Sequence, residues 1–341
     1  MADIEEFVAS LPKAELHLHL EGTVDPETLW TLAERHQTPL FRAGREALRS
    51  LYNTSDFTGF LQAFKTVCEH LRAPEDYALI TYNALRRLAE QNVRYAEVQV
   101  SAGVILWKGE DLRDSFAGVE AGYRRAREEF GIRVQWIFDA VRQFGPEAAL
   151  AVARAAASLQ DRAVVGFGIG GDERQSPPEL FREVFDYARS EGLRLTAHAG
   201  ETAGPESIWN ALRVLRSERI GHGLAAARDP SLVEFLAEKQ VPLDVCVTSN
   251  IKTGCLSQIA RHPLRRYFDQ GLLLSLSTDD PALFGTDLTQ EYLLAHRVFG
   301  FNQEELTRLA EYSFRAAFLP PEAKASYLAT FSAPAPLEPA E

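Results

Sequence analysis

Eight short runs rich in apolar and β-branched residues, separated by longer stretches with helical spacing, constrain this chain more than any other feature. The runs are Ala14–Leu20, Val93–Val100, Ile132–Ala140, Ala163–Ile169, Leu193–Ala197, Arg219–His222, Val241–Val247 and Leu272–Ser277. Their length and composition predict strands. Between them lie helical patterns such as Leu180, Val184, Tyr187 and Ala188, with start signals at Ser176–Pro177 (followed by Glu179) and at Asp229–Pro230. Polar or glycine turns, Glu191–Gly192 and Gln270–Gly271 among them, lead into the next strand. Strand–helix alternation predicts a parallel sheet, and eight repeats favour closure into a (β/α)8 TIM barrel over an open doubly wound sheet.

Two regions exceed the bare repeat. Residues 26 to 90 hold at least two helices, Phe57–Leu71 and Pro74–Gln91, which an insertion after the first strand would place over the barrel mouth as a lid. Gln303–Phe314 and Pro321–Phe331 read as extra helices at the C-terminus. Residues 1–332 are expected to form one barrel domain, because α/β barrels of this size are commonly single. The Pro- and Ala-rich residues 333–341 are expected to be a disordered tail.

Charge narrows the partners. With 36 basic and 48 acidic residues the net charge is -12, a poor match for nucleic acid or anionic membranes, which leaves a small-molecule substrate. No apolar stretch approaches the roughly 18 residues that span a bilayer, and the acidic start lacks a signal-peptide core. Cys68, Cys246 and Cys255 form no Cys-x-x-Cys pair, so a disulfide framework is not expected and a reduced, cytoplasmic setting fits.

The residues that carry chemistry cluster where the strands end, the rim at which barrel active sites form. His17 and His19 lie two apart in the first strand, so their rings share a face and make half of a zinc site. The fifth strand leads into His198-Ala199-Gly200-Glu201, the sixth ends in Gly221-His222-Gly223, and the eighth leads into Ser277-Thr278-Asp279-Asp280. Three histidines and a carboxylate from separate strands can supply a mononuclear metal site open to water, whose pKa bound zinc lowers to about 7. Glu201 sits in a turn where it could shuttle a proton, and Asp280 could accept the proton of the water. The competing reading of Asp279-Asp280-Pro281 is a helix-capping turn. His262 precedes a proline and reads as a helix start, while His36, His70 and His296 fall on amphipathic helices as solvated or satisfied side chains.

Six segments in order resemble the adenosine deaminase family of the amidohydrolase superfamily. They are Pro12-Lys13-Ala14-Glu15-Leu16-His17-Leu18-His19-Leu20-Glu21-Gly22, Gly170-Gly171-Asp172-Glu173, His198-Ala199-Gly200-Glu201, Arg219-Ile220-Gly221-His222-Gly223, Thr248-Ser249-Asn250 and Ser277-Thr278-Asp279-Asp280-Pro281. The resemblance implies a zinc-dependent barrel that replaces the 6-amino group of an adenosine-like purine by oxygen, releasing ammonia. It implies one Zn2+ per chain held by His17, His19, His198 and Asp279. Glu201 matches the acid that protonates purine N1, His222 the residue that orients the hydroxide, Asp280 the group that helps deprotonate the water, and Gly171 the backbone donor to N3. The fourth strand ends in Gly168-Ile169-Gly170-Gly171-Asp172, without the lysine of two-metal relatives, and no Pro-Cys-x-x-Cys signature of the other zinc deaminases occurs.

Substrate identity turns on Glu21. Enzymes for plain adenosine carry aspartate there to contact the ribose 5′-hydroxyl. The glutamate resembles relatives acting on free adenine or on 5′-modified nucleosides such as 6-aminodeoxyfutalosine, and Ser101–Lys108 resembles the last group. A carboxylate-bearing 5′ substituent would want a cation, for which Lys108, Arg174 and Lys252 are candidates. The alternatives are an adenine deaminase, an amidohydrolase acting on another amine, ring amide or ester, and a ligand-binding relative without turnover. A filled Glu201 position favours aminopurine chemistry, because ester hydrolysis gives an N1 proton donor no fixed role.

Overall fold

The computed structural model describes residues 3–53 and 56–332; the tail expected over 333–341 lies outside the described residues. Eight strands hydrogen-bond in chain order, all parallel: β1 (Lys13–His19), β2 (Val93–Val100), β3 (Arg133–Val141), β4 (Val164–Gly170), β5 (Arg194–Ala199), β6 (Arg219–His222), β7 (Leu243–Val245) and β8 (Leu274–Leu276). One residue closes the ring. Asp279 donates its N–H to the His17 carbonyl at 3.0 Å and accepts from the His19 N–H at 2.9 Å, bridging the end of β8 to β1.

The helices lie outside and start where side chains can satisfy their free N–H groups. Asp111 accepts from the N–H groups of Arg113 and Asp114 at the head of Leu112–Phe130, which ends at Gly131 in the left-handed region. Asp229 caps Pro230–Lys239 in the same way, as the Asp-Pro signal predicts. The helix expected from Ser176–Pro177 begins later, at Arg182, after a 3-10 turn over Pro178–Phe181. Pro177 is extended, and neither proline has an N–H to give. Gln303–Ala316, expected as surplus, packs against β8 and β1 and serves as the eighth barrel helix. The surplus at that end lies in Leu288–Phe299 and Pro321–Ser332.

Residues 26 to 90 hold five helices among the described residues: Pro26–Arg35, Pro39–Ala43, Arg45–Leu51, Phe57–His70 and Pro74–Glu90. Only part of this region covers the mouth. Pro74–Glu90 packs on Leu112–Phe130 along the barrel wall, whereas Phe57–His70 lies over the strand ends and sends Phe57, Phe60, Leu61 and Phe64 into the cavity beneath it. Phe60 packs on Phe284 at 4.9 Å between ring centres, and Phe64 meets the edge of His19 at 6.2 Å.

Part of the barrel interior is ionic rather than aliphatic. The fully buried Arg219 pairs with Glu97 at 2.6 Å and Asp244 at 2.8 Å, donates to the Leu16 carbonyl at 3.1 Å, and has the Phe318 ring 4.1 Å away. Removing either charge would strand its partner in a dry interior, which typically costs several kcal/mol. Asp244 in turn faces His17 Nδ1 at 3.8 Å, so this cluster underlies the rim where the candidate site forms.

Candidate active site

The expected metal-site residues converge. His17, His19, His198 and Asp279 each present one ligand atom within 4.8 Å of all the others, and all four are buried. His19 Nε2 lies 3.2 Å from His198 Nε2, and Asp279 Oδ1 lies 3.2 Å from His17 Nε2 and 3.3 Å from His19 Nε2. Ligands arranged tetrahedrally at roughly 2.0–2.1 Å from a zinc ion stand roughly 3.3 Å apart, so these separations fit a shared cation. The outer bonds agree. His198 Nδ1 lies 3.1 Å from the Ile169 carbonyl, which fixes its proton there and leaves Nε2 bare, and Ser249 Oγ donates to Asp279 Oδ2 at 2.7 Å. Among the described residues, neither buried ring nitrogen of His17 has a hydrogen-bond partner. The donor set can therefore hold a metal ion.

Backbone conformation aims two of these side chains. His222 (φ 64°) and Asp279 (φ 68°) sit in the left-handed region, unusual for residues with a Cβ, so both strands turn sharply at the rim. Close approach explains two glycines. A Cβ at Gly221 would stand 2.6 Å from His17 Cε1, and one at Gly22 would stand 2.0 Å from Asp280 Oδ1. The His17 ring and the Asp280 carboxylate occupy the space that a side chain would need.

Glu201, His222 and Asp280 face the same cavity of about 400 Å3 as the ligand cluster. Glu201 Oε2 lies 3.7 Å from His222 Nε2. Burial, then the charges of Asp279 and Glu173, push the Glu201 carboxyl up to about 8, so it carries a proton at neutral pH. Burial lowers His222 to about 3 and keeps it neutral. Burial and the adjacent Asp279 charge raise the proton affinity of Asp280, whose Oδ1 has no hydrogen-bond partner among the described residues. Gly171 lines the cavity at the end of β4.

Glu21 is placed differently. It is buried beside the cavity rather than lining it; its carboxylate accepts from the Ser101 N–H at 3.1 Å and the Ser101 hydroxyl at 2.9 Å, and Ser101 is the residue that lines the cavity. Of the three candidate cations, Lys108 lines the cavity but is spent on the carbonyls of Cys68 and Leu71 and on Glu110. Arg174 donates to the Thr202 carbonyl, and neither it nor Lys252 reaches the cavity. The lining cation with an exposed side chain is Lys65, 3.9 Å from Glu69 on the roof helix. Three of the remaining four histidines are satisfied structurally: His36 by Asp76, His70 by Thr38 and the Thr66 carbonyl, and His296 by the Phe301 carbonyl.

The motifs assign no role to several supporting residues. Glu173 accepts from the N–H groups of Gly200, Glu201 and Thr202 and from Ser207 Oγ, and so pins the turn that carries Glu201. The buried Arg142 donates to the His198 carbonyl at 2.5 Å. Asp139, at the end of β3, is buried in the cavity wall with Oδ1 unpartnered among the described residues, and burial pushes it up to about 6. A lone carboxylate closing the apolar run Trp136-Ile137-Phe138 was the available signal.

Comparison with known proteins agrees with this geometry. The family profile described as adenosine deaminase matches residues 12–332. An aminodeoxyfutalosine deaminase of Streptomyces avermitilis is 40 % identical over 325 residues, spanning 95 % of this chain and 91 % of that protein. The crystal structure of an adenine deaminase from Arthrobacter aurescens superposes with a TM-score of 0.89 at 33 % identity, covering 95 % of this chain and 98 % of the other. An amidohydrolase from Burkholderia ambifaria with bound Zn gives the same TM-score at 29 % identity, covering 97 % and 92 %. With a barrel of eight parallel strands, a cluster of three histidines and an aspartate at its rim, and a match along nearly its whole length, the chain belongs to the adenosine deaminase family and is an amidohydrolase-type deaminase of adenine-type substrates.

Proposed function

We propose that this protein is a zinc-dependent deaminase of a 6-aminopurine nucleoside with an extended 5′ substituent, 6-aminodeoxyfutalosine being the model substrate. The observation that carries the reading is one cavity lined by His19, His198, Asp279, Glu201, His222 and Asp280 and also by an aromatic pair and a lysine. Trp107, 64 % exposed, stacks on Phe144 at 5.4 Å with an 11° interplanar angle, and Lys65 shares that cavity. A bare purine carries no group for the lysine to pair with. An aromatic, carboxylate-bearing 5′ group would use the aromatic pair and the lysine, with ring stacking and charge pairing.

His17, His19, His198 and Asp279 would hold the zinc, which when bound supplies a water that ionises near neutral pH. Asp280 takes a proton from the attacking water, and its raised proton affinity suits that role. Glu201 gives its proton to N1 of the purine, which draws electron density from C6 as the water oxygen attacks. His222 lies beside Glu201 and steadies charge on that oxygen. The Gly171 N–H holds N3; Asp280 passes its proton to the amino nitrogen and the C6 hydroxyl proton returns to Glu201, so that the C6–N bond breaks, ammonia leaves and the C6 carbonyl forms. Glu21 acts on the substrate through Ser101.

Free adenine is the second reading, favoured by the likeness to the Arthrobacter enzyme. The deciding experiment measures turnover of adenosine, adenine and 6-aminodeoxyfutalosine by ultraviolet absorbance on the zinc-loaded protein, alongside Lys65→Ala. The proposal expects 6-aminodeoxyfutalosine to have the highest kcat/KM and Lys65→Ala to raise its KM alone. Preference for adenine, with Lys65→Ala silent, would establish the second reading.

A further inference from the structure

One chain of hydrogen bonds behind the site starts from a donor whose direction is fixed. The Leu264 backbone N–H lies 3.2 Å from His262 Nδ1, so that nitrogen must accept. His262 is buried, and burial lowers it to about 3, so the ring is neutral and its one proton sits on Nε2. Nε2 lies 3.2 Å from Asn250 Oδ1 and donates to it. With Oδ1 committed, the Asn250 amide presents Nδ2 to His222 Nδ1 at 3.1 Å and donates there. His222 Nδ1 therefore accepts, and the proton of the neutral ring lies on Nε2, the nitrogen facing Glu201 and the cavity. Reversing the Asn250 amide would set its NH2 against the His262 N–H and break the chain at that point. A proton on His222 Nδ1 would meet the Asn250 NH2 donor to donor.

We infer that His262, acting through Asn250, is a positioning residue that locks His222 in its Nε2–H tautomer and makes it a hydrogen-bond donor toward the reacting centre. A ring so fixed cannot take the first proton from the attacking water, which leaves that task to Asp280. The inference deepens the proposed reaction, yet the tautomer is measurable without substrate.

The test uses the zinc-loaded, full-length protein labelled with 15N-histidine, with the His222 ring signals assigned by their loss in His222→Asn. The wild-type protein should show an unprotonated Nδ1 and a protonated Nε2. His262→Gln, which keeps an N–H for Asn250, should preserve the pattern and most of kcat. His262→Leu should lose the pattern and lower kcat about tenfold, with KM and zinc content unchanged. A proton on Nδ1 in the wild type, or an unaltered pattern and kcat in His262→Leu, overturns the inference. If His262→Leu fails to fold, Asn250→Asp decides. Its carboxylate should draw the proton to His222 Nδ1 and lower kcat at least tenfold, and an unchanged tautomer and rate would overturn the inference. A wild-type enzyme inactive on every aminopurine would sink the proposed function, while the spectrum would still judge the relay.

Discussion

Replacing Glu173 by glutamine should damage the active site without touching any group that meets substrate or metal. The carboxylate accepts four bonds: from Gly200 N–H at 2.7 Å, Glu201 N–H at 2.8 Å, Thr202 N–H at 2.9 Å and Ser207 Oγ at 2.5 Å. An amide of the same shape has one oxygen. Its best orientation keeps that oxygen on Glu201 and Thr202 and turns its NH2 toward Ser207, whose hydroxyl can rotate to accept. The Gly200 N–H is then a buried donor without a partner, at about 1–3 kcal/mol, and two charge-assisted bonds become neutral ones, at roughly 0.5–1 kcal/mol each. The sum is about 3 kcal/mol. With about 2.1 cal/mol/K of unfolding entropy per residue, the melting temperature of a chain this long should fall by about 4 °C. The turn carries Glu201, so a displacement of an ångström or less should also lower kcat on the order of 100-fold. Calorimetry, elemental analysis and turnover of the purified variant test this together. An unchanged melting temperature would refute the hydrogen-bond reasoning, and loss of zinc in step with activity would show that Glu173 supports the ligand cluster rather than the Glu201 turn.

Glu201→Gln should retain zinc and lose roughly 100-fold or more in kcat, measured by turnover and metal content. The acid form of Glu201 is the active one, so kcat/KM should fall as pH rises through its pKa. Burial places that at about 8 and a bound cation draws it lower, so an alkaline limb well above pH 8 would contradict the assignment. Gly22→Ala puts a methyl 2.0 Å from Asp280 Oδ1, and should cost at least tenfold in kcat with zinc content intact; full activity would mean that Asp280 can move freely. His17→Ala should lose both metal and activity, and a normal zinc content by elemental analysis would remove His17 from the ligand set.

The sequence reveals most where one pattern implies one geometry. Val93–Val100 and Arg219–His222 match their strands to the residue, since polar or glycine residues bound each segment. Val241–Val247 shrinks to Leu243–Val245 because Pro242 has no N–H for the ladder and the chain enters the helix Val247–Lys252 just beyond. The histidines and Asp279 were legible because their residue types are rare at strand ends and recur there. Glu173 lies in a matched segment, but its role and that of Arg142 were not legible, because their work is hydrogen bonding to backbone atoms distant in sequence, which leaves no spacing to read. Lys65 and Lys108 show the same limit: composition marks both as cations, and only the fold shows that Lys108 is spent on two carbonyls and Glu110. His262, expected as a helix start, stands one residue before the Pro263 cap of the helix Leu264–Asp269 and ends the 3-10 turn Ile259–Arg261, and the Leu264 N–H bond to its ring fixes its second role.

Metal removal should leave the barrel closed and make its stability depend on pH. Closure rests on backbone bonds from Asp279 to His17 and His19 and on the Glu97–Arg219–Asp244 cluster, none of which contains the cation. Without a cation the buried Asp279 carboxylate needs another positive partner. Burial alone would lower His17, but the Asp244 and Asp279 carboxylates beside its two nitrogens outweigh it and raise the ring to about 9. For His19, burial is outweighed by the Asp280 charge and the Asp279 bond, which raise it to about 10. Protons on these rings stand in for the metal. Each folded pKa lies above the unfolded value of about 6.5, so the stabilisation is fully present below that pH and is lost as pH rises through about 9 to 10. The metal-free protein should therefore keep its barrel circular dichroism at neutral pH while its melting temperature drops between pH 7 and 10. The zinc-bound protein, whose rings are held unprotonated by the metal, should lack that drop. A metal-free melting temperature that stays level or climbs across this range would mean that His17 and His19 are neutral without the ion, and that the buried aspartates are balanced by something other than their ligand partners.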